Sequence, residues 1–428
     1  MSGGNGEEKN HVILADCWYE KMKILLVLGQ FNRQKYDELT NQAWNIARSL
    51  AAAGKQCVIA AGRSDGEAAM EAVGNVQIRR FSQQTNSGWS KIWRKKLLSD
   101  SSTEVLPGLE PFLEKNQFDL VHIMCSGRLC VQAAGLAASR NVPYIVNCRG
   151  EDFRIVDLLS GGTNNTGVLS PFQGVLRSYG EALEHAAGVF CSDHTLRRQL
   201  AARLGDRTVF YWQPGVDCEW FARPAAVDFR QFYQLPKSRH IILSVGRVCR
   251  NRNQKMLLDI LSVLRNKNIN CHLVVSGWIA EADYMEEFKA EIAALKLDDF
   301  VTCIPGFPPG DEFFKASYQA ASLVLLPARY DVGGAAVLEA WSAGVPVVVS
   351  PVGCGGELVV DGENGRVAPP GEFQQWINCC CELLDERNRS QLEKMRSNGR
   401  NAARSLNWEK RLDMLLEFYQ NCIKENIK

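Results

Sequence analysis

From Met22 onward the chain repeats one unit: a short apolar run, a turn, then an amphipathic stretch. Apolar runs of this length bounded by turn residues read as buried strands, and the stretches between them carry the period of helices facing a sheet. Strands joined by helix-length crossovers pair in parallel, so the pattern confines the chain to an α/β fold. In the first half the strands fall at 23–29, 56–62, 76–81, 119–125, 143–148 and 188–192; in the second they fall at 240–246, 271–277, 300–306, 322–328 and 345–351. Most end in Gly, Ser or Pro, which lets the chain turn sharply at the carboxyl edge of the sheet. That edge is where open α/β sheets bind ligands.

At 428 residues the chain is too long for one ordinary core, and it reads as two parallel-sheet domains of about 150–200 residues each, which invite a cleft. The segment "QPGVDCEWFARPAAVDFRQFYQLPKSRH" has three prolines and no sustained period, and reads as the connection between them. The expected organisation is an N-terminal extension at 1–21, a first domain at 22–215, an interdomain linker at 216–237, a second domain at 238–400 and a C-terminal helix at 401–428 that packs back on the first domain. Residues 1–21 are set apart because "MKILLVLG" from Met22 looks like a natural start. Its run "ILLVLG" is far shorter than the roughly 20 residues of a membrane helix, and no export signal is expected. A net charge of +1 offers no general attraction for nucleic acid. The fifteen cysteines are scattered through strand runs such as "HIMCSG" or bunched as "NCCCELL". No metal-ligand spacing emerges, and they read as reduced core residues of a cytoplasmic protein.

The stretch "YDVGGAAVLEAWSAGVPVVVSP", residues 330–351, sets two carboxylates around a pair of glycines at such a strand end. With "SLVLLPA" as the strand and "AAVLEAWSAG" as the helix, the backbone N–H groups of Gly334, Ala335 and Ala336 open a helix terminus, which attracts anions and phosphate above all. Asp331 can reach hydroxyls beyond a phosphate, and Glu339, further along the helix, can accept hydrogen bonds from a vicinal diol such as a ribose. A turn at Asp-Gly-Gly and a solvated Glu339 are the plain alternatives. In "SVGRVCRNRNQKMLLDIL", Arg247 follows Gly246 at another strand end and Arg252 comes five residues later. Two guanidiniums there suit a diphosphate, although surface arginines explain them as well.

Together "VGRVCRNRNQKMLL", "WQPGVDCEWF" and the block from "PARYDVGG" to "VAPPGE" resemble the retaining glycosyltransferases of family 4, among them bacterial lipopolysaccharide and cell-envelope glycan glycosyltransferases. The family's carboxylate, seven residues, Glu signature appears as Asp331 and Glu339. The resemblance implies a GT-B fold, two Rossmann-like domains with an interdomain cleft and a C-terminal crossover helix, the first domain binding acceptor and the second donor. It implies transfer, with retention, of a hexose-type sugar from a nucleotide diphosphate sugar, a UDP-sugar above others, to a glycan or lipid-linked acceptor by a monomer or weak dimer with no cofactor. Arg247 and Arg252, the latter where the family usually has Lys, would neutralise the diphosphate. Glu339 would hold the ribose. Asp331 and the amides after Gly333 would hold the donor sugar and distal phosphate, and Pro305 and Gly306 would lie beside the base. Gly29 would give room to the phosphates, unless it is a simple strand-ending turn. No Asp-X-Asp occurs, so no metal is expected. Asp331 is one methylene shorter than the usual Glu and Gly333 stands where the family often has Phe, which reshapes the sugar pocket. Arg149 replaces the His of many relatives, leaving Asp152 or Glu151 to orient the acceptor or to form a turn salt bridge. His122 reads as a packed core residue. A sugar-nucleotide epimerase on the same architecture, or a binding protein without turnover, are the rival readings.

From Arg79 to Lys96 the chain holds six basic residues and no acidic one, with Trp89 and Trp93 four apart. A helix there would set an aromatic stripe beside the cationic face of Lys91, Arg94, Lys95 and Lys96, the profile of a segment resting on an anionic membrane surface, here the cytoplasmic face of the inner membrane. A solvated run with packed tryptophans is the alternative. Anionic vesicles should therefore co-sediment the protein at low salt and release it at high salt, and changing the four cations to Gln should abolish the effect. Equal, negligible binding to anionic and neutral vesicles would remove the membrane from the account.

Overall fold

The computed structural model describes residues 22–33, 38–85, 104–148, 170–206, 208–308, 310–330 and 333–427. The chain forms two compact units, one comprising the chain up to Phe31, Gln42–Trp212 and the chain from Leu412, the other comprising Asn32–Asn41 and Gln213–Arg411.

The first unit is built on β1 (Lys23–Gln30), β2 (Gln56–Gly62), β3 (Met70–Val73), β4 (Val76–Phe81), β7 (Leu120–Ile123), β8 (Tyr144–Cys148), β9 (Gly188–Cys191) and β10 (Val209–Tyr211), in the order β10-β9-β8-β7-β1-β2-β4-β3. β5 (Gln84–Thr85) and β6 (Glu104–Val105) form a separate ribbon. Pairing is parallel except in the β3–β4 hairpin at the edge. Ile24–Leu28 are all buried, as a central strand covered on both faces requires. The second unit is a parallel sheet of β11 (His240–Val245), β12 (Cys271–Ser276), β13 (Val301–Ile304), β14 (Leu323–Leu326), β15 (Val347–Val349) and β16 (Arg366–Val367), in the order β13-β12-β11-β14-β15-β16. Both of its faces are buried, one under Val337, Leu338 and Trp341 and the other under Leu257, Leu261 and Trp376. The order reverses between β11 and β14, the switch point at which such sheets bind ligands.

Every strand expected from the apolar runs is present. The runs missed are β3, with alternating exposure, and the two- or three-residue β5, β6, β10 and β16, which are too short or too polar to stand out. Two expectations are corrected. Residues 216–237, expected as the interdomain linker, lie in the second unit, with Val216, Cys218, Phe221, Phe229 and Leu235 buried in its core. Two one-turn helices anchor them, with Asp217 accepting from Trp220 N at 3.0 Å and Asp228 from Gln231 N at 2.9 Å. The terminal segment is two helices, Arg389–Ser405 and Trp408–Ile427, and only its part from Leu412 belongs to the first unit. Nor does Arg80 add to a cationic face, since its guanidinium is buried against Glu71 at 2.9 Å. Trp89, Lys91, Trp93, Arg94, Lys95 and Lys96 lie outside the described residues. No helix among the described residues is long and apolar enough to cross a membrane.

His122, on β7, sits in the core as expected. Its Nδ1 lies 2.6 Å from the Tyr419 hydroxyl on the terminal helix and its Nε2 2.8 Å from Asn147 Oδ1 on β8. Burial pushes its imidazole down to about 4, only partly opposed by the Asn147 bond. The folded state therefore holds His122 neutral while the unfolded chain protonates it near its ordinary value, so its contribution to stability is complete above about pH 6.5 and lost as pH falls toward 4. Tyr419→Phe strips the ring of one partner and should cost about 1–3 kcal/mol. Urea unfolding of variant and wild type at neutral pH checks this, and unchanged stability would deny the network its role.

Candidate functional site

Three neighbouring strands of the second unit, β11, β12 and β13, are each followed closely by a glycine: Gly246, Gly277 and Gly306. Gly246 N donates to Ser276 O at 2.9 Å and Gly277 N to Ile304 O at 3.0 Å, so the ladder continues past the strand ends. A Cβ on Gly277 would run into the Gly246 carbonyl, and one on Gly306 would stand 3.3 Å from Gly277 Cα. Backbone thus packs on backbone, leaving a shelf without side chains beside Pro305 and Gly306. Gly277 was not singled out from the sequence, although "SVGR", "VSGW" and "IPGF" end consecutive strands alike.

After Gly246 and the half-buried Arg247 the chain makes the 3-10 turn Arg250–Arg252 and enters the helix Lys255–Asn266. Gln254 Nε2 holds Arg247 O at 2.8 Å. The turn is stitched to the segment after β14: Arg329 N donates to Asn251 O at 2.8 Å, Tyr330 N to Asn251 Oδ1 at 3.1 Å, and Arg329 Nη2 to Asn253 Oδ1 at 3.3 Å. These bonds tie the two strand exits that carry the candidate cations and the candidate anion-binding helix.

That helix is Gly334–Ser342, with Gly333 at its N-cap and no side chain capping it. Its first amides are satisfied by nothing within the helix and point toward its N-terminal approach. Arg252 joins the two halves of the site. Its Nε lies 3.8 Å from where a Gly246 Cβ would stand and its Nη2 3.6 Å from the same point on Gly333. A guanidinium between a strand-end glycine and a helix N-terminus concentrates positive potential at one place. Gly334 packs tightly, since a Cβ there would meet Cys354 Sγ at 2.6 Å and Pro214 at 2.9 Å. Ala335 is buried and Ala336 half-buried. Glu339, in the same helix, is only 3% exposed and accepts a 2.7 Å hydrogen bond from the buried Tyr318 hydroxyl on Oε2. It is a fixed, buried carboxylate and not a solvated one. Tyr318 was not foreseen, because nothing in its helical run "EFFKASYQA" distinguishes it from core.

Gly29, in the first unit, lies within β1 and accepts from Gln83 Nε2 at 3.1 Å. Asp331, Arg149, Asp152 and Glu151 lie outside the described residues. Among the described residues no cluster of three or more His, Cys, Asp or Glu side chains could hold a metal, and all the cysteines but Cys303 and Cys381 are buried.

Two family models match in succession, glycosyl transferase 4-like domain over residues 39–210 and glycosyl transferases group 1 over 227–402. The chain belongs to the family 4 GT-B glycosyltransferases. It is 27% identical to a D-inositol 3-phosphate glycosyltransferase of Mycolicibacterium smegmatis over 50% of this chain and 47% of that one. It is 29% identical to an alpha-D-kanosaminyltransferase of Streptomyces kanamyceticus over 40% and 42%. These matches span about half the length of the curated relatives or less. Among solved structures, sucrose-phosphate synthase of Thermosynechococcus elongatus superposes with a TM-score of 0.73 at 17% identity, covering 95% of this chain and 100% of that one. Anabaena HepE in complex with UDP and glucose gives 0.70 at 17%, covering 92% and 98%. WaaG, a glycosyltransferase involved in lipopolysaccharide biosynthesis, gives 0.67 at 14%, covering 92% and 98%. At these identities the likeness establishes the GT-B architecture.

Gly277→Ala should force the ends of β11 and β12 apart, at a cost of about 1–3 kcal/mol for overpacking. Chemical denaturation reads the loss. A variant as stable as wild type would mean that the strand ends are not in backbone contact.

Proposed function

We propose that the chain is a retaining hexosyltransferase that moves a sugar from a nucleotide diphosphate sugar, UDP-linked by preference, to a glycan or lipid-linked acceptor in envelope polysaccharide or lipopolysaccharide synthesis. The observation that carries this reading is the placing of Arg252 between Gly246 and Gly333, at the open end of the helix Gly334–Ser342. A diphosphate leaving group develops negative charge as its bond to the anomeric carbon breaks, and fixed dipoles and cations at that point lower the barrier. Arg252, the helix amides and Arg247 supply them.

The steps follow from that arrangement. The diphosphate lies against the helix terminus, with the sugar toward the segment holding Asp331 and the nucleotide over the glycine shelf beside Pro305 and Gly306. Glu339, held by Tyr318 and helix geometry, accepts from the ribose diol. The bond between the anomeric carbon and the phosphate oxygen breaks, and the acceptor oxygen bonds to that carbon on the same face. The acceptor proton passes to the departing phosphate oxygen, which keeps the anomeric configuration. Arg149 and Asp152 are the acceptor-side candidates. The absence of Asp-X-Asp from the sequence supports neutralisation of the diphosphate by the chain's own cations.

Titration calorimetry with UDP and a panel of UDP-sugars tests the donor. Arg247→Ala and Arg252→Ala should each weaken UDP by about 1.5–3 kcal/mol, the weight of a hydrogen bond to a charged group. With an acceptor in hand, NMR of the first-formed product should show the donor's anomeric configuration, and EDTA should leave the rate unchanged. Wild-type UDP affinity in both arginine variants refutes the clamp. A sugar epimerised while still nucleotide-linked would make the protein an isomerase, and nucleotide binding with no transfer would make it a binding protein.

A further inference from the structure

Gly333 has no backbone reason to be glycine. Its φ of −61° and ψ of 134° are open to any residue. What a side chain there would disturb is the space beside it: a Cβ at 333 would stand 2.6 Å from Glu38 Oε2, so that carboxylate would have to shift, and 3.6 Å from Arg252 Nη2. Glu38 heads the helix Glu38–Ala52 and belongs to Asn32–Asn41, the stretch after β1 that packs with the second unit. A carboxylate from the other end of the sequence thus occupies the room that a side chain at 333 would fill.

We propose that Glu38 is a specificity-determining residue for the donor, its carboxylate accepting hydrogen bonds from hydroxyls of the transferred sugar. This rests on the donor reading of the preceding subsection. A carboxylate only accepts hydrogen bonds, and it repels phosphate, so Glu38 is no ligand of the diphosphate. The helix amides and Arg252 serve that group. The sugar is joined directly to the distal phosphate and is dense in hydroxyl donors. A carboxylate beside the phosphate-binding terminus is therefore placed to meet the sugar and to keep a bare anion from settling too firmly against Arg252. A site built to bond a hydroxyl discriminates strongly against a sugar that turns that hydroxyl elsewhere, because the carboxylate then loses its partner.

The test measures affinities by calorimetry for UDP, UDP-glucose, UDP-galactose and UDP-N-acetylglucosamine, in wild type, Glu38→Gln, Glu38→Ala, Gly333→Ala and the Glu38→Ala/Gly333→Ala double variant. The spread between the best and worst sugars should shrink by about tenfold in Glu38→Ala while UDP itself stays within about twofold or tightens, one lost hydrogen bond to a charged group being of that order. Glu38→Gln, which keeps the shape and one acceptor, should fall between wild type and Glu38→Ala. Gly333→Ala should reduce the spread in the wild-type background and change nothing in the Glu38→Ala background, where the methyl no longer meets a carboxylate. An unchanged spread in Glu38→Ala, no spread in wild type, or an equal loss for UDP and its sugars each overturns the assignment and leaves the donor reading intact. A wild type that binds neither UDP nor any UDP-sugar overturns both.

Discussion

The closeness with which neighbouring backbones run past their strand ends is the constraint on which the second unit's ligand-facing edge depends. Parallel strands ordinarily separate there, as each chain climbs into its helix. Here Gly246 and Gly277 continue the ladder by one more bond each, and the missing Cβ of Gly277 lets the Gly246 carbonyl take its place. The first consequence is the bare shelf. The second is the setting of the turn Arg250–Arg252, which follows the extended ladder. Arg252 stands beside Gly333 in a turn that Asn251 clamps to the exit of β14.

Electrostatics then decides what the edge can hold. A helix N-terminus carries roughly half a positive charge, and a guanidinium beside it raises the local potential further. Two like charges held together need an anion. In the structure the Glu38 carboxylate stands beside both Arg252 and Gly333, and in the proposed reaction the diphosphate does so. The two anions are chemically unequal. A phosphate oxygen accepts from amides and arginine together, whereas Glu38, on a side chain with three rotatable bonds, can turn toward the sugar when the stronger anion arrives. Positive charge without a resident counter-anion would also bind inorganic phosphate, which is abundant wherever nucleotide sugars are used.

The fold was legible because its signal is periodic and local. Eleven apolar runs, most with glycine, serine or proline at their ends, placed the edge strand β13 and the interior strands of both sheets, including β1, whose buried Ile24–Leu28 no helix could accommodate at that length. The edge strands β3, β10 and β16 escaped, being short or, for β3, half solvated and polar in sequence, whereas the edge strand β13 was found. Residues 216–237 were misread for a related reason: aperiodic sequence is not unpacked sequence, and Phe221 and Phe229 reach the core from single helical turns that carry no period. Within the candidate site, Arg252, Gly246 and Gly333 were singled out because strand ends and helix starts are marked by glycine. Glu38 and Tyr318 were not. Each acts on a residue far away in sequence, Glu38 on Gly333 and Tyr318 on Glu339, and no local pattern encodes a contact of that range.

The two unforeseen residues differ in what their surroundings allow. Glu339 is enclosed in a helix whose neighbours Val337, Leu338 and Trp341 are core, and it accepts a 2.7 Å bond from Tyr318. In the proposed donor site a carboxylate so held costs little further ordering to accept from a ribose, which is the sense in which a binding group is preorganised. Glu38 is half-buried, at the first turn of a helix, on the stretch Asn32–Asn41 that belongs to the second unit. Its carboxylate lies in the room left by a neighbour's lack of a side chain. Fixed contacts suit the part of a donor that is common to all nucleotide sugars. A contact shaped by one glycine is the kind that a single substitution can retune, and in the proposed donor site it falls where sugars differ from one another.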